Sequence, residues 1–334
     1  MRAAVLRHPG PKNENPLTIE DWPVPEPGPG EVLLRVEACG VCRTDLHITM
    51  GELKPLRDEV IPGHQIVGRV TRLGDRVDAG TVTIGQRVGV SWLGGVDGIC
   101  PLCRKGRENL CDHPVFTGYT VNGGYAEYTV ARADFCSALP AEPKAEELAP
   151  LLCAGIIGFR SLRVAGVQRG DRVGLFGFGA SAHLTIDVLK AWDCEVYVSS
   201  RGESHRQLAR ERGAKWVGNA LDRPPVALDC AVTFAPAGDV VMAALASLRK
   251  GGVVAINAIH LDRMPQFDYD SLLWGERELR SVANMTREDA RDFIKVALEI
   301  GIKPQTTLFP LEKVNEALNA IYKETINGAA VVVV

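Results

Sequence analysis

The stretch RVGLFGFGASAHLTIDVLKAW, residues 172–192, joins an apolar run to a helical pattern through a loop of small residues. The loop follows the pattern G-x-G-x-x-A. Small residues let the backbone approach a pyrophosphate closely, and the free N–H groups at the start of the following helix face its charge. The stretch therefore predicts a strand, loop and helix that bind a dinucleotide. The residues expected to line the cofactor are Gly177, Phe178, Gly179, Ala180 and Ala182.

A glycine pattern alone is weak evidence, because plain turns also contain it. Here it is followed by further apolar β runs that alternate with helical segments. These runs are CEVYVSS (194–200), ALDCAVTFA (227–235) and LRKGGVVAINA (248–258). Such alternation is typical of a doubly wound parallel sheet built from βαβ units. We expect a Rossmann domain over residues 151–285.

The residues before this domain have a different pattern, with short β runs separated by Gly and Pro. The runs are EVLLRVEACG (31–40), QIVGRVTRLG (65–74), QRVGVSWLGG (86–95) and GYAEYTVAR (124–132). This pattern predicts a distorted β domain over residues 1–150. We expect residues 286–334 to return to this first domain.

The C-terminal segment begins with TREDARDFIKVALEIG (286–301), which predicts an amphipathic helix with Thr286 as N-cap and Gly301 at its end. PLEKVNEALNAIYKETING (310–328) predicts another helix, and AAVVVV (329–334) predicts a last strand.

Length and composition restrict the function classes. A chain of 334 residues exceeds the usual single core, so two domains are expected. The 38 Lys and Arg nearly balance the 41 Asp and Glu, and no basic block points to nucleic acid. No uninterrupted apolar run approaches the roughly 20 residues of a membrane helix, and the first ten residues lack the core of a signal peptide. We expect a cytoplasmic protein, in which the nine cysteines ligate metal or fill the core.

Three candidate metal ligands, Cys42, His64 and Cys153, are too far apart in sequence for their spacing to unite them, and a lone Cys or His is more often a core residue. Their surroundings read CGVCRTDLH, IPGHQIVGRV and APLLCAGIIG, in this order and ahead of the glycine loop. Together with FTGYTVNGGYAEYTV and SLRVAGVQRGDRV, this text resembles the zinc-containing medium-chain alcohol dehydrogenases. The resemblance covers essentially the whole chain and is strongest to the yeast-type and bacterial branches.

The resemblance implies a GroES-like β-rich catalytic domain beside the Rossmann domain, with the active site in the cleft between them. It also implies that Cys42, His64 and Cys153 hold a catalytic zinc, which is the known ligand set of these enzymes. Two thiolates and a neutral imidazole offset the charge of the metal and leave a fourth position for the substrate oxygen.

Three further residues receive roles from the resemblance. Thr44 would take the alcohol proton and pass it through the cofactor ribose to His47, and Asp45 would orient His64. From the sequence alone, Thr44 could equally be a hydroxyl in a turn, His47 a surface residue and Asp45 a carboxylate in a turn. Gln65 departs from the family, which usually has Glu at this position, so a role for that carboxylate at the metal is in doubt.

The segment DGICPLCRKGRENLC holds Cys100, Cys103 and Cys111 in the spacing C-x2-C-x7-C. The family's structural zinc lobe has a fourth cysteine three positions earlier, where this chain has Asp97. Because Asp is an acceptable zinc ligand, we expect a second, structural zinc in each subunit. The alternative is a vestigial loop with free thiols.

Two positions are expected to set specificity. Trp92 matches an aromatic residue of the yeast branch that narrows the substrate pocket, so small primary alcohols or aldehydes are favoured; alternatively it packs the domain core. Ser200 and Arg201 follow the second Rossmann strand, where NAD-specific relatives carry an acid. A hydroxyl and a guanidinium suit a 2′-phosphate, so NADP is preferred and NAD is possible. Alternatively, Arg201 faces solvent or stacks on adenine.

The sequence thus predicts a zinc-dependent alcohol dehydrogenase with a small-molecule alcohol or aldehyde as substrate, without nucleic acid or membrane as partner, and assembled as a homodimer or homotetramer. Two other functions remain open. One is a zinc-free reductase of the same superfamily, which is disfavoured because all three candidate zinc ligands, Cys42, His64 and Cys153, are present. The other is a non-catalytic, cofactor-binding redox sensor, in which Thr44 and His47 would be superfluous.

Overall fold

The computed structural model describes residues 1–11, 14–78, 80–326 and 328–334, which form two compact units. Unit 1 comprises Met1–Cys153, Asn284–Arg291 and Lys303–Val334, and unit 2 comprises Ala154–Ala283 and Asp292–Ile302. The expected return of residues 286–334 to the first domain is therefore interrupted at residues 292–302.

The described residues form seventeen strands: β1 (Arg2–Leu6), β2 (Leu17–Asp21), β3 (Glu31–Val41), β4 (Gln65–Leu73), β5 (Arg87–Val90), β6 (Leu93–Gly95), β7 (Val115–Phe116), β8 (Tyr128–Arg132), β9 (Ser137–Ala138), β10 (Arg172–Phe176), β11 (Glu195–Ser199), β12 (Trp216–Gly218), β13 (Leu228–Thr233), β14 (Leu248–Ile256), β15 (Glu278–Ser281), β16 (Thr306–Pro310) and β17 (Ala329–Val333).

They also form ten α-helices, several of them a single turn: α1 (Arg43–Thr49), α2 (Pro101–Arg104), α3 (Ala145–Leu148), α4 (Ala154–Ala165), α5 (Ala180–Ala191), α6 (Glu203–Glu211), α7 (Gly238–Ala246), α8 (Tyr269–Leu272), α9 (Arg287–Glu299) and α10 (Val314–Tyr322).

Unit 1 is built on a seven-stranded sheet in the order β16-β17-β3-β4-β5-β9, with β8 also paired to β3. All pairs are antiparallel except β16 with β17. The long strand β3 is almost entirely buried because it pairs with β4, β8 and β17. Gly40 of β3 pairs with Gln65 of β4, and this register brings the end of β3 beside the start of β4.

Unit 2 is a six-stranded, wholly parallel sheet in the order β12-β11-β10-β13-β14-β15. Starting at β10, this is the strand order 3-2-1-4-5-6 of the Rossmann fold, which confirms the predicted fold class. The four predicted apolar runs form its centre. The two edge strands were not predicted, because β12 has only three residues and β15 carries the charged residues Glu278 and Arg280.

The C-terminal elements follow the prediction closely. Helix α9 begins after Thr286, whose hydroxyl accepts the N–H of Asp289 at 3.1 Å, and Gly301 ends the helical region with a φ of +67°. The second half of α9 belongs to unit 2 because the buried Phe293 packs against Phe159 of α4, with ring centroids 5.7 Å apart. The predicted helix at 310–328 is formed at α10; Asn327 lies outside the described residues.

One helical stretch among the described residues, Ala145–Ala165, is long and apolar enough to cross a membrane. It includes α3, a 3-10 turn and α4. Inside the protein 72% of its most apolar window is buried, which is typical of a core helix.

Candidate metal and cofactor sites

The backbone of unit 1 brings two of the predicted catalytic zinc ligands together. Cys42 lies between β3 and α1, where it caps the helix, and His64 immediately precedes β4. The pairing of Gly40 with Gln65 places these two residues side by side. Cys153 completes the set just before α4. The ligand atoms of all three residues lie within 4.8 Å of one another.

The spacing of these atoms fits a zinc ion. Sγ of Cys42 lies 3.3 Å from Nε2 of His64. In a tetrahedral site with ordinary Zn–S and Zn–N bonds, the sulfur and nitrogen are roughly 3.6 Å apart. Two sulfurs and an imidazole nitrogen are also donors that zinc prefers. The cluster can therefore hold zinc with little movement of its side chains.

Asp45 connects two of the ligands. One of its carboxylate oxygens accepts the backbone N–H of Cys42 at 2.9 Å. The other lies 3.3 Å from Nδ1 of His64, and neither side chain is exposed. The carboxylate thus faces Nδ1 of the imidazole, while Nε2 is the nitrogen that lies beside Cys42.

The surroundings raise the pKa values of two groups in the cluster, His64 and Cys42. Burial disfavours a charged His64, but the neighbouring Asp45 and Cys42 outweigh it and raise the pKa of the imidazole to about 10. The hydrogen bond with Cys153 and burial raise the pKa of the Cys42 thiol well above its ordinary value. A divalent cation that displaces these protons would satisfy the same buried donors, as expected for a metal site.

The backbone ahead of His64 is held by close approaches. Gly63 has a φ of +94°, and a Cβ there would lie 2.7 Å from a ring carbon of Tyr125. The carbonyl of Gly63 accepts the N–H of Gly124 at 2.9 Å. A side chain at Gly63 would displace both the ring and this bond, so the glycine is required to position His64.

The two residues of the predicted proton relay lie three positions apart on α1. Residues at this spacing share a face of a helix. Thr44 is buried, and His47 is partly exposed. Nδ1 of His47 makes a short hydrogen bond with the carboxylate of Glu52. Glu52 was not predicted, because nothing in the sequence indicates that the turn after α1 folds back onto it.

Gln65 is buried at the start of β4. Its side chain lies across Gly40 of β3, where an added Cβ would be 2.9 Å from the amide carbon Cδ. The neutral amide thus occupies a tightly packed position beside the metal cluster.

Trp92 packs against the core of unit 1 and also contacts a metal ligand. Its ring meets that of His64 edge to face, with centroids 5.1 Å apart and an angle of 77°. Phe116 and Tyr119 stack nearly parallel to the indole, at 4.9 and 5.9 Å. Trp92 thus packs against the core, as one interpretation expects, and its role in a substrate pocket stays a prediction.

The four predicted lobe ligands come together as a second cluster. The ligand atoms of Asp97, Cys100, Cys103 and Cys111 lie within 4.8 Å of one another. Backbone N–H groups point at the sulfurs: that of Cys103 donates to Cys100 at 3.4 Å, and that of Asp97 donates to Cys111 at 3.4 Å. Such N–H···S bonds favour thiolates, and the bond from Cys103 is the main cause that lowers the pKa of Cys100.

Asp97 is held as a carboxylate. Its Oδ1 accepts the N–H groups of Cys100 at 3.1 Å and Ile99 at 3.0 Å. The bond from Cys100 is the main reason that the pKa of this carboxyl lies well below its usual range. An ionised oxygen among three sulfurs fits a zinc ion that has four protein ligands.

The lobe is anchored by Glu108, which lies between two of its cysteines. This carboxylate accepts the backbone N–H of Arg287 at 2.7 Å and its guanidinium at 2.7 Å. Arg287 also bonds to Asp134 at 3.1 Å and stacks on Phe135 at 4.5 Å. The lobe is thereby fixed to the start of α9 within unit 1.

The predicted cofactor loop lies between β10 and α5 in unit 2. Gly177 has a φ of +95°, and a Cβ there would lie 3.0 Å from the backbone nitrogen of Ala235. Gly179 is the N-cap of α5 and makes no side-chain cap bond to this helix. Phe178 and Ala182 are buried, and Ala180 is the first helical residue. The open helix start suits a pyrophosphate.

Ser200 and Arg201 form the loop that follows β11. Ser200 is buried, and its N–H donates to the carbonyl of Gly218 at 3.1 Å. The sequence did not indicate the role of Arg206, whose guanidinium donates to the carbonyls of Ser200 at 2.9 Å and Arg201 at 2.6 Å. Arg206 also bonds to Glu203 at 3.1 Å, so this acid, two residues after Arg201 in the sequence, is already paired.

Comparisons with known proteins agree with this arrangement. A family model described as the alcohol dehydrogenase GroES-like domain matches residues 28–141. The probable alcohol dehydrogenase AdhA of Mycobacterium tuberculosis is 46% identical over 337 residues, covering 100% of this chain and 97% of the relative.

Solved structures match over the same length. An acetophenone reductase from Geotrichum candidum in complex with NAD has 28% identity and a TM-score of 0.86, covering 100% of this chain and 97% of that one. A cobalt- and zinc-bound thermostable alcohol dehydrogenase from Pyrobaculum aerophilum has 25% identity and a TM-score of 0.89, covering 100% and 99%.

Neither the zinc-free reductase nor the non-catalytic sensor is favoured by these matches, which extend over the whole chain and name alcohol dehydrogenases. The Cys and His cluster agrees with them. The chain therefore belongs to the medium-chain alcohol dehydrogenase family, with a GroES-like domain and a Rossmann sheet, and has the activity of an alcohol dehydrogenase.

Proposed function

We propose that this alcohol dehydrogenase depends on zinc held by Cys42, His64 and Cys153. The observation that carries the proposal is the gathering of these ligand atoms within 4.8 Å, with Asp45 against the far nitrogen of the imidazole. When bound, zinc acts as a Lewis acid on the substrate oxygen, and the nicotinamide cofactor exchanges the hydride.

The chain's own residues manage the proton. The hydroxyl of Thr44 is proposed to accept the alcohol proton, and His47 to hold it close to solvent. The carboxylate of Glu52 is proposed to accept a hydrogen bond from Nδ1–H of His47, which leaves Nε2 as the nitrogen that can receive a proton. Asp45 acts by positioning His64 and Cys42 rather than by touching the substrate.

The second cluster is proposed to hold a structural zinc, giving two zinc ions per subunit. Asp97, Cys100, Cys103 and Cys111 leave no open position for a substrate when all four ligate. The backbone N–H groups that point at the sulfurs of Cys100 and Cys111 support binding, since they are oriented to stabilise metal-bound sulfur.

The cofactor is proposed to be NADP in preference to NAD, bound at the loop from Gly177 to Ala182 and recognised by Ser200 and Arg201. The open start of α5 supports pyrophosphate binding. The bond between Arg206 and Glu203 supports a phosphate, because it offsets the charge of an acid that follows this loop. NAD remains possible, and the Geotrichum structure holds NAD.

The substrate is proposed to be a small primary alcohol or aldehyde, because the indole of Trp92 lies directly against the ligand His64. Assembly as a homodimer or homotetramer, a cytoplasmic location and membership in the yeast-type branch stay predictions of the sequence.

The function is tested by assaying the purified protein, with its zinc content measured, against a series of primary and secondary alcohols and aldehydes with NAD and NADP. We expect Cys42→Ser to retain the fold and the lobe zinc, to lose one zinc per subunit, and to keep less than about 1% of turnover. Cys136→Ser changes a thiol outside both clusters and should leave zinc content and turnover unchanged. Full turnover in Cys42→Ser would refute the proposed site.

A further inference from the structure

Tyr119 contacts both Trp92, beside the metal cluster, and the backbone at Lys54, after α1. Its ring stacks on Trp92 with an interplanar angle of 19°. Its hydroxyl donates a hydrogen bond of 2.6 Å to the backbone carbonyl of Lys54. Lys54 belongs to residues 51–58, here called the 51–58 segment, which connects the end of α1 to the residues before β4.

We propose that Tyr119 is a positioning residue for substrate specificity: it fixes the plane of Trp92 beside the metal cluster and ties the 51–58 segment to it. The inference rests on the proposed function, because it assumes that the space next to His64 receives the substrate.

The ring contacts form a continuous path from the metal cluster. Trp92 lies edge to face on His64 at 5.1 Å, and Tyr119 lies against Trp92 at 5.9 Å. Phe116 supports the same indole at 4.9 Å, and the N–H of Thr117 donates to the carbonyl of Trp92 at 2.9 Å. Stacked aromatic pairs are worth about 0.5–1.5 kcal/mol beyond their buried area, so loss of the Tyr119 ring frees the indole to tilt.

The 51–58 segment depends on few anchors. Apart from Leu53, its residues are exposed. At its start Glu52 bonds to Nδ1 of His47, and the N–H of Leu53 donates to the carbonyl of His47 at 3.1 Å; after its end Val60 pairs with Leu6. The bond from Tyr119 reaches the stretch between these anchors. Burial raises the pKa of the Tyr119 phenol, so the hydroxyl keeps its proton and remains a donor.

The two contacts of Tyr119 predict different effects. Loss of the hydroxyl alone frees the segment but preserves the ring stack, so affinity for the substrate should weaken while the metal ligands stay in place. Loss of the ring also frees Trp92, which should reduce discrimination by chain length. Neither change touches Cys42, His64 or Cys153, so zinc content should not change.

The test compares Tyr119→Phe, Tyr119→Leu and the control Tyr322→Phe, which changes an exposed tyrosine of α10. For each purified protein, zinc content, hydrogen exchange of residues 51–58, and kcat and KM for straight-chain alcohols of increasing length are measured. In Tyr119→Phe we expect exchange about three- to tenfold faster, a KM raised severalfold, and kcat within about twofold of wild type. Tyr119→Leu should also flatten the dependence of kcat/KM on chain length.

The proposal is overturned if Tyr119→Phe exchanges like wild type with an unchanged KM, or if Tyr119→Leu keeps the chain-length profile. A loss of zinc in either variant would also overturn it, since Tyr119 would then support the metal cluster itself. If the wild-type protein turned over no alcohol, the proposed function would fail, whereas the exchange measurement would still show whether Tyr119 ties the segment.

Discussion

The carboxylate of Asp45 lies 3.3 Å from Nδ1 of His64, and neither side chain is exposed to solvent. The same carboxylate accepts the N–H of Cys42 at 2.9 Å. One buried carboxylate therefore contacts both the imidazole of the histidine and the backbone at the cysteine. We expect the position of the two proposed zinc ligands to depend on it.

Replacing Asp45 should weaken zinc binding without removing a ligand. In Asp45→Asn the amide can accept the N–H of Cys42 but then presents an NH2 group to Nδ1 of His64, which disfavours the required tautomer. Loss of such a partner typically costs about 10–100-fold in metal affinity. We expect that loss in a titration with a competing chelator, with turnover falling in parallel.

Asp289→Asn is a matched control, because Asp289 is also buried and accepts the N–H of the residue three positions earlier, at 2.9 Å. It should lower heat stability and leave zinc affinity unchanged. Equal zinc affinity in Asp45→Asn and wild type would contradict the role of Asp45.

The sequence predicted the ligands of both clusters but not the residues that hold them. The motifs around Cys42 and His64 predicted that the two residues share a site, but the pairing of β3 with β4 that brings them together could not be read from the motifs. Glu52, Arg206 and Tyr119 act through contacts between turns and loops, for which periodicity gives no signal. The edge strand β15 was missed for a similar reason. It is charged, and it forms a strand because it pairs with β14 rather than because of an apolar pattern.

Removing the acid of the lobe should affect stability more than rate. Asp97 is one of four ligand atoms in the second cluster, where all positions are filled by protein. In Asp97→Ala we expect one zinc per subunit to bind weakly and heat tolerance to fall, with the initial rate within about twofold of wild type. Metal analysis after dialysis measures the bound zinc, and the loss of activity at raised temperature measures heat tolerance. Asp112→Ala, next to Cys111 but outside the cluster, is the control, and unchanged zinc in Asp97→Ala would refute the assignment.

The stabilisation of the lobe by Glu108 should depend on pH. Burial raises the pKa of Glu108, but the bonds from Arg287 outweigh it, and the net shift is downward. A carboxyl whose pKa is lower in the folded protein stabilises the fold above its unfolded pKa of about 4.3 and loses this effect as pH falls through its folded pKa. Glu108→Gln should therefore lower the thermal midpoint at pH 7 and narrow its difference from wild type towards pH 3.

Glu316→Gln removes an exposed carboxylate whose partner is Lys313, at 3.3 Å. Because exposed pairs contribute little, this control should leave the midpoint at pH 7 nearly unchanged. A Glu108→Gln midpoint equal to wild type at pH 7, or a difference that grows on acidification, would show that the bond to Arg287 does not stabilise the lobe.

We predict that cofactor preference depends on the loop after β11, where this chain has Ser200 and Arg201 instead of the acid expected for NAD. A carboxylate there would accept the ribose hydroxyls and repel a 2′-phosphate, whereas a guanidinium attracts it. Arg206 holds the backbone of this loop through the carbonyls of Ser200 and Arg201, so the loop keeps its shape when the Arg201 side chain is removed. Arg201→Ala thus tests the charge of the side chain rather than the fold of the loop.

We expect kcat/KM in the wild type to favour NADP and the advantage to shrink about tenfold or more in Arg201→Ala, through a higher KM for NADP. Arg169→Ala, an exposed arginine of unit 2 paired with Asp193, should keep the wild-type ratio. A wild-type preference for NAD, or an unchanged ratio in Arg201→Ala, would show that this loop does not select the phosphate.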